Sequence, residues 1–95
     1  MKAVAILNPG PASDLQLIEE RVPSPKAGEV LIQVRAAGVN RGDLLQRQGR
    51  YPPPQGASPF PGLEVAGDVV AVGPHTQRLS IGSRVCALLA GGGYA

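Results

Sequence analysis

Asn40, Asp43, Tyr51 and Glu64 are the residues whose types and spacing could do chemistry. Glu64 is a carboxylate at the mouth of an apolar run that extends from Pro59 to Gly73. A carboxylate entering a buried strand needs donors or a cation, because an unpaired buried charge is expensive. Asn40 is a good residue to precede a helix, and Asp43 falls in the first turn after it, where a carboxylate meets backbone amides or a cation. Tyr51 stands before Pro52-Pro53-Pro54. Its ordinary use is packing on proline, but a phenol can also hydrogen-bond an oxygen and stack on a flat ring. Cys86, within Val85-Cys86-Ala87-Leu88-Leu89, reads as an inert core residue, and His75 as a solvated turn residue.

The elements that must position these side chains are short. Lys2 to Leu7 reads as a strand stopped by Asn8-Pro9-Gly10-Pro11. Leu15 to Val22, with Leu15 and Leu17 on one face, reads as a strand, a short helix being the alternative. Val30 to Ala37 alternates, with Val30, Ile32, Val34 and Ala36 pointing one way and Gln33 and Arg35 the other. A short helix is expected from about Arg41 to Gln48, between Asn40 as N-cap and Gly49 past its end. The loop from Tyr51 to Pro61 has eleven residues, five of them proline, and is either functional or a spacer. Pro61-Gly62 makes a bend before the central strand. Val69 to Val72 is apolar enough to predict cover on both faces, and Gly67 predicts a bulge or a close backbone approach. Arg84 to Leu89 reads as the last strand. Ala90 to Ala95 carries no polar tail and no capping element.

Composition narrows the function classes. Thirteen glycines and ten prolines among 95 residues argue for short strands and tight turns in one small, mainly β domain, a partly open barrel. The apolar share of 43% argues against disorder. A net charge of +2 with scattered basic residues and three aromatic rings gives little to build a nucleic-acid face. A single cysteine excludes an internal disulfide and fits a reducing, cytoplasmic setting. There is no signal peptide, lipidation signal or membrane-length apolar run, so no membrane partner is expected.

Four motifs in order carry a resemblance: Val39-Asn40-Arg41-Gly42-Asp43, Gly49-Arg50-Tyr51-Pro52, Pro61-Gly62-Leu63-Glu64-Val65-Ala66-Gly67 and Ile81-Gly82-Ser83-Arg84-Val85. Together they resemble the medium-chain dehydrogenase/reductase superfamily, and within it the zinc-independent quinone oxidoreductases, the branch that includes zeta-crystallin. The resemblance implies a GroES-like β-barrel catalytic domain followed by a Rossmann domain that holds NAD(P)H. Residues 1–95 then form most of the first domain, cut short at its C-terminal end, with the Rossmann domain absent. The sequence agrees in having no Gly-x-Gly-x-x-Gly between a strand and a helix.

The resemblance further implies hydride transfer from NADPH, or NADH, to a quinone or similar α,β-unsaturated carbonyl. It implies a homodimeric full-length enzyme, and an isolated chain that is inactive and prone to self-association. Asn40 and Tyr51 would border the nicotinamide and the substrate, with Asp43 and Glu64 supporting the cleft and no side chain exchanging a proton. Arg41, Arg47 and Arg50 are either a solvated face or an aid to the cofactor phosphates. Zinc-dependent relatives carry Cys where this chain has Asn40 and His where it has Leu63, so no metal is expected. The alternative function is a stand-alone GroES-like binding or co-chaperonin-type module without catalysis, which would have no evident use for the Asn40–Asp43 and Pro61–Gly67 motifs.

Overall fold

The computed structural model describes residues 1–11 and 15–95. In chain order the elements are β1 (Lys2–Ile6), β2 (Leu15–Glu19), β3 (Val30–Ala37), α1 (Arg41–Arg47), β4 (Glu64–Val72) and β5 (Arg84–Leu88). Strands β1 and β2 form one antiparallel pair, and β3-β4-β5 form a second antiparallel sheet with β4 at its centre. The fold is mainly β with one short helix, as the glycine and proline content predicts. No helix among the described residues is long and apolar enough to cross a membrane.

Register decides which faces are buried. In the first sheet Ala3 pairs with Ile18 and Ala5 with Gln16, and both alanines are buried. Leu17 pairs with Val4 on the other face and is 72% exposed. The face that Leu15 and Leu17 share is therefore the outward one.

Two irregularities reset the second sheet. Between Val34 and Ala36 the partner advances only from Gly67 to Ala66, so Arg35 is the extra residue of a bulge. The parity of β3 changes there, and Ala36 joins the exposed residues instead of continuing the Val30-Ile32-Val34 face. A second bulge lies on β4: Leu31 faces Ala71 and Ile32 faces Val69, leaving Val70 unpaired. Val70 and Val72 are exposed, so the expectation that both faces of Val69–Val72 are covered does not hold. Val69 alone of the three valines is fully buried, in a small core with Val65, Ala3, Ala5 and Pro61.

Gly67 is explained by close approach. A Cβ there would overlap the Gln33 carbonyl of β3. Cys86 is exposed, contrary to its reading as a core residue. The reason is alternation on an edge strand: Val85 and Ala87 of β5 turn inward, while Arg84, Cys86 and Leu88 turn out.

The long loop is anchored at its C-terminal end. The buried Gln46 of α1 donates from its side-chain amide to the Pro59 carbonyl at 3.2 Å. Arg47 donates to the Gly10 carbonyl at 3.0 Å, which fixes the segment after β1 to the helix. Beyond β5 the chain folds back. Gly92, Gly93 and Tyr94 donate their N–H groups to the carbonyls of Phe60, Gly62 and Pro61 at 2.8, 3.0 and 3.1 Å.

Candidate functional site

The turn from β3 into α1 is where the sequence concentrates its polar groups. Asn40, three residues past the end of β3, has φ −128° and ψ 159°, an extended conformation directly before the helix begins at Arg41. Asp43, three residues on, is buried. Its Oδ2 accepts the Asn40 N–H at 2.9 Å and its Oδ1 accepts the Gly62 N–H at 3.2 Å. One carboxylate thus joins the helix start to the Pro61-Gly62 bend that precedes β4. This is the backbone-amide pairing expected of Asp43.

A third donor completes the set. The Tyr94 hydroxyl lies 2.6 Å from Asp43 Oδ2 and 2.9 Å from the Gly38 carbonyl. A phenol has one proton, so it donates to one of these oxygens at a time, and the shorter contact to the carboxylate is the stronger. Burial, then the hydrogen bond to Asp43, then the charges of Asp43 and Glu64 push the Tyr94 phenol up to about 12. Tyr94 is therefore a neutral donor at physiological pH.

Sequence reasoning missed Tyr94. The available signal was Gly91-Gly92-Gly93 directly before an aromatic residue. Glycines at 62 and 93 allow two backbones to touch: a Cβ on Gly62 would meet Gly93 Cα and Tyr94 N at 2.6 Å. That contact brings the phenol to Asp43.

Glu64 opens β4 beside this cluster. Its carbonyl accepts the Gly38 N–H at 3.2 Å, and its side chain lies over Gly38, where a Cβ would displace it. Across the strand Glu64 pairs with Leu88. The outer face here is a groove of about 480 Å³ whose lining includes Ala36, Gly38, Glu64, Ala66, Cys86 and Leu88.

The structure thus brings Asn40, Asp43 and Glu64 to one corner. Tyr51 follows the other end of a seven-residue helix that spans roughly 10 Å. It is 42% exposed at the start of the proline loop. Leu63 packs a methyl group toward Gly42 of α1. Among the described residues, no group of three or more His, Cys, Asp or Glu side chains is placed to hold a metal ion.

Residues 26–94 match the alcohol dehydrogenase GroES-like domain. The chain belongs to that family. It is a domain of the medium-chain dehydrogenase/reductase superfamily, as the four motifs imply. Over 89 residues the GroES-like domain is 37% identical to the human synaptic vesicle membrane protein VAT-1 homolog-like, covering 94% of this chain and 21% of that protein. Over 90 residues it is 41% identical to the L-threonine 3-dehydrogenase of Pyrococcus abyssi, covering 88% of this chain and 25% of that enzyme. The chain therefore spans a quarter or less of these two relatives. Among solved structures, a mycobacterial quinone oxidoreductase superposes with a TM-score of 0.82 at 34% identity, covering 99% of this chain and 29% of that one. A mycobacterial protein solved with NADPH gives 0.83 at 38% identity, covering 99% of this chain and 28% of that one.

Proposed function

We propose that this GroES-like domain forms the substrate side of an NAD(P)H-dependent oxidoreductase that passes hydride to a quinone or a similar α,β-unsaturated carbonyl. The observation that carries the reading is the buried Asp43 carboxylate, which holds Asn40 at the junction of β3 and α1. The likeness to a quinone oxidoreductase and to a protein that takes NADPH supports it. On this reading the full-length protein adds a Rossmann domain for the dinucleotide.

The residues present fit one end of such a cofactor and not the other. A helix start attracts phosphate through free amides and its positive dipole end. At α1 the Asp43 carboxylate already takes the Asn40 N–H, and its charge opposes a pyrophosphate. An uncharged nicotinamide ring and a neutral acceptor suit the corner better. The nicotinamide, when bound, supplies the hydride. Asn40 and Tyr51 orient the two rings, and Asp43 and Glu64 keep the corner in place. The domain is read as zinc-free, because Leu63 offers no ligand and Asn40 only an amide.

The test is NADPH oxidation by the purified full-length protein with a naphthoquinone as acceptor. Turnover is expected, and Asn40→Ala should lower kcat/KM by about tenfold. No oxidation of NADPH or NADH with any of a panel of quinones and enones would overturn the proposal.

A further inference from the structure

Tyr94 has no part in the reading so far, and its contacts are those of a group that sets the position of another. Its hydroxyl bridges the two sides of the Asn40 junction: the Gly38 carbonyl at 2.9 Å lies two residues before Asn40, and Asp43 Oδ2 at 2.6 Å lies three after. The same Oδ2 accepts the Asn40 N–H at 2.9 Å. A carboxylate held by a single amide on that oxygen can swing about its side-chain torsions. With a phenol on the same oxygen and the Gly62 N–H on the other at 3.2 Å, it is held from three directions.

The backbone of Tyr94 is itself fixed. Its N–H donates to the Pro61 carbonyl at 3.1 Å, and its carbonyl accepts the Val4 N–H of β1 at 2.9 Å. So Asn40 is connected, through Asp43 and one phenol, to β1 and to the bend before β4.

We infer that Tyr94 is a positioning residue for Asn40, acting through Asp43, and that the Gly91–Gly93 segment exists at this place to deliver its hydroxyl. This rests on the reading that Asn40 borders the hydride-transfer cleft. A hydride must pass between carbons held about 3–3.5 Å apart, and small errors of placement are costly. Loss of the hydroxyl should therefore act on turnover more than on binding.

The variant that isolates the effect is Tyr94→Phe, which keeps the ring and removes one oxygen. In the full-length protein, hydrogen exchange at the Asn40 and Gly62 amides should become about tenfold faster. Exchange at Val69, whose N–H is bonded to the Ser83 carbonyl at 2.9 Å on the far side of the sheet, should not change. With NADPH and a naphthoquinone, kcat should fall about tenfold while both KM values stay within about twofold. Asp43→Ala gives a second route, because it removes the oxygen that accepts both the Asn40 N–H and the Tyr94 hydroxyl. Adding Tyr94→Phe to it should slow turnover little further, since both changes break the same connection.

Unchanged exchange at Asn40 in Tyr94→Phe, or full additivity of the two substitutions, would overturn the inference. Faster exchange at Asn40 with unchanged turnover would leave Tyr94 as its positioner and remove Asn40 from the cleft, so the two readings fail separately.

Discussion

The Gly93 N–H donates to the Gly62 carbonyl at 3.0 Å, with no side chain between the two backbones. Gly62 also has φ 105°, a conformation that L side chains rarely adopt. Gly62→Ala therefore meets two obstacles at once: an unfavourable backbone angle, and a Cβ 2.6 Å from Gly93 Cα and Tyr94 N. The expected loss of stability is at least ~2 kcal/mol by chemical denaturation. Gly28→Ala is the comparison, because Gly28 has φ 76° but nothing within 4 Å. It should cost only about 1 kcal/mol.

Tyr94 predicts a pH dependence of stability. Its pKa is about 12 in the folded chain, against the ordinary 10.0. Below pH 10 the phenol is neutral in both states and its contribution is whole. Between pH 10 and about 12 the unfolded chain ionises first, so unfolding is favoured and the contribution is progressively lost. Denaturation midpoints should fall across that window. Tyr94→Phe should have a lower midpoint at neutral pH and a shallower alkaline fall. An equal fall in both proteins would show that another group is responsible.

The helix start and its carboxylate were legible in the sequence because they are local. Asn40, Asp43 and Gly49 lie within ten residues and follow capping chemistry. Gly67 was legible as either a bulge or a close approach, since one missing side chain inside a strand needs a local cause, and the structure decides for the close approach. The exposure of Val70 and Ala36 was not legible. Each follows from a bulge, and bulges are set by pairing between strands distant in the chain. Cys86 was misread because hydrophobic neighbours do not reveal that β5 is an edge strand. The Tyr94–Asp43 contact joins residues 51 apart in sequence, and no period in the chain encodes it.

Strand β5 pairs with β4 alone among the described strands, and its Leu88 is 86% exposed. An edge with outward apolar side chains is a template for further pairing. The isolated 95-residue chain is expected to self-associate at micromolar concentration, as measured by sedimentation velocity. Leu88→Lys should shift it toward monomer without a large loss of stability, because Leu88 is already in solvent and a lysine discourages edge pairing. A monomeric wild-type chain would count against the edge as the cause.

The Tyr51 assignment rests on kinetics, because no hydrogen bond in the structure ties this side chain to the Asn40–Asp43 corner. Its ring is 42% exposed, and the three prolines that follow limit how far it can move. A stiff loop holds a ring in place at low entropic cost. If the ring borders the acceptor, Tyr51→Ala in the full-length enzyme should raise the KM for bulky quinones by about tenfold and leave small acceptors less affected. Tyr51→Phe removes only the hydroxyl. It should lower kcat/KM by roughly fivefold to tenfold if that hydroxyl bonds the quinone or the carboxamide oxygen, in line with a net hydrogen bond near ~1 kcal/mol. Because the side chain is exposed, neither change should move the denaturation midpoint appreciably. A kinetic effect without a stability effect would separate a ring that meets the substrate from one that only covers proline. Unchanged kinetic constants in Tyr51→Ala would make the loop a spacer and confine the substrate side of the site to the corner held by Asp43.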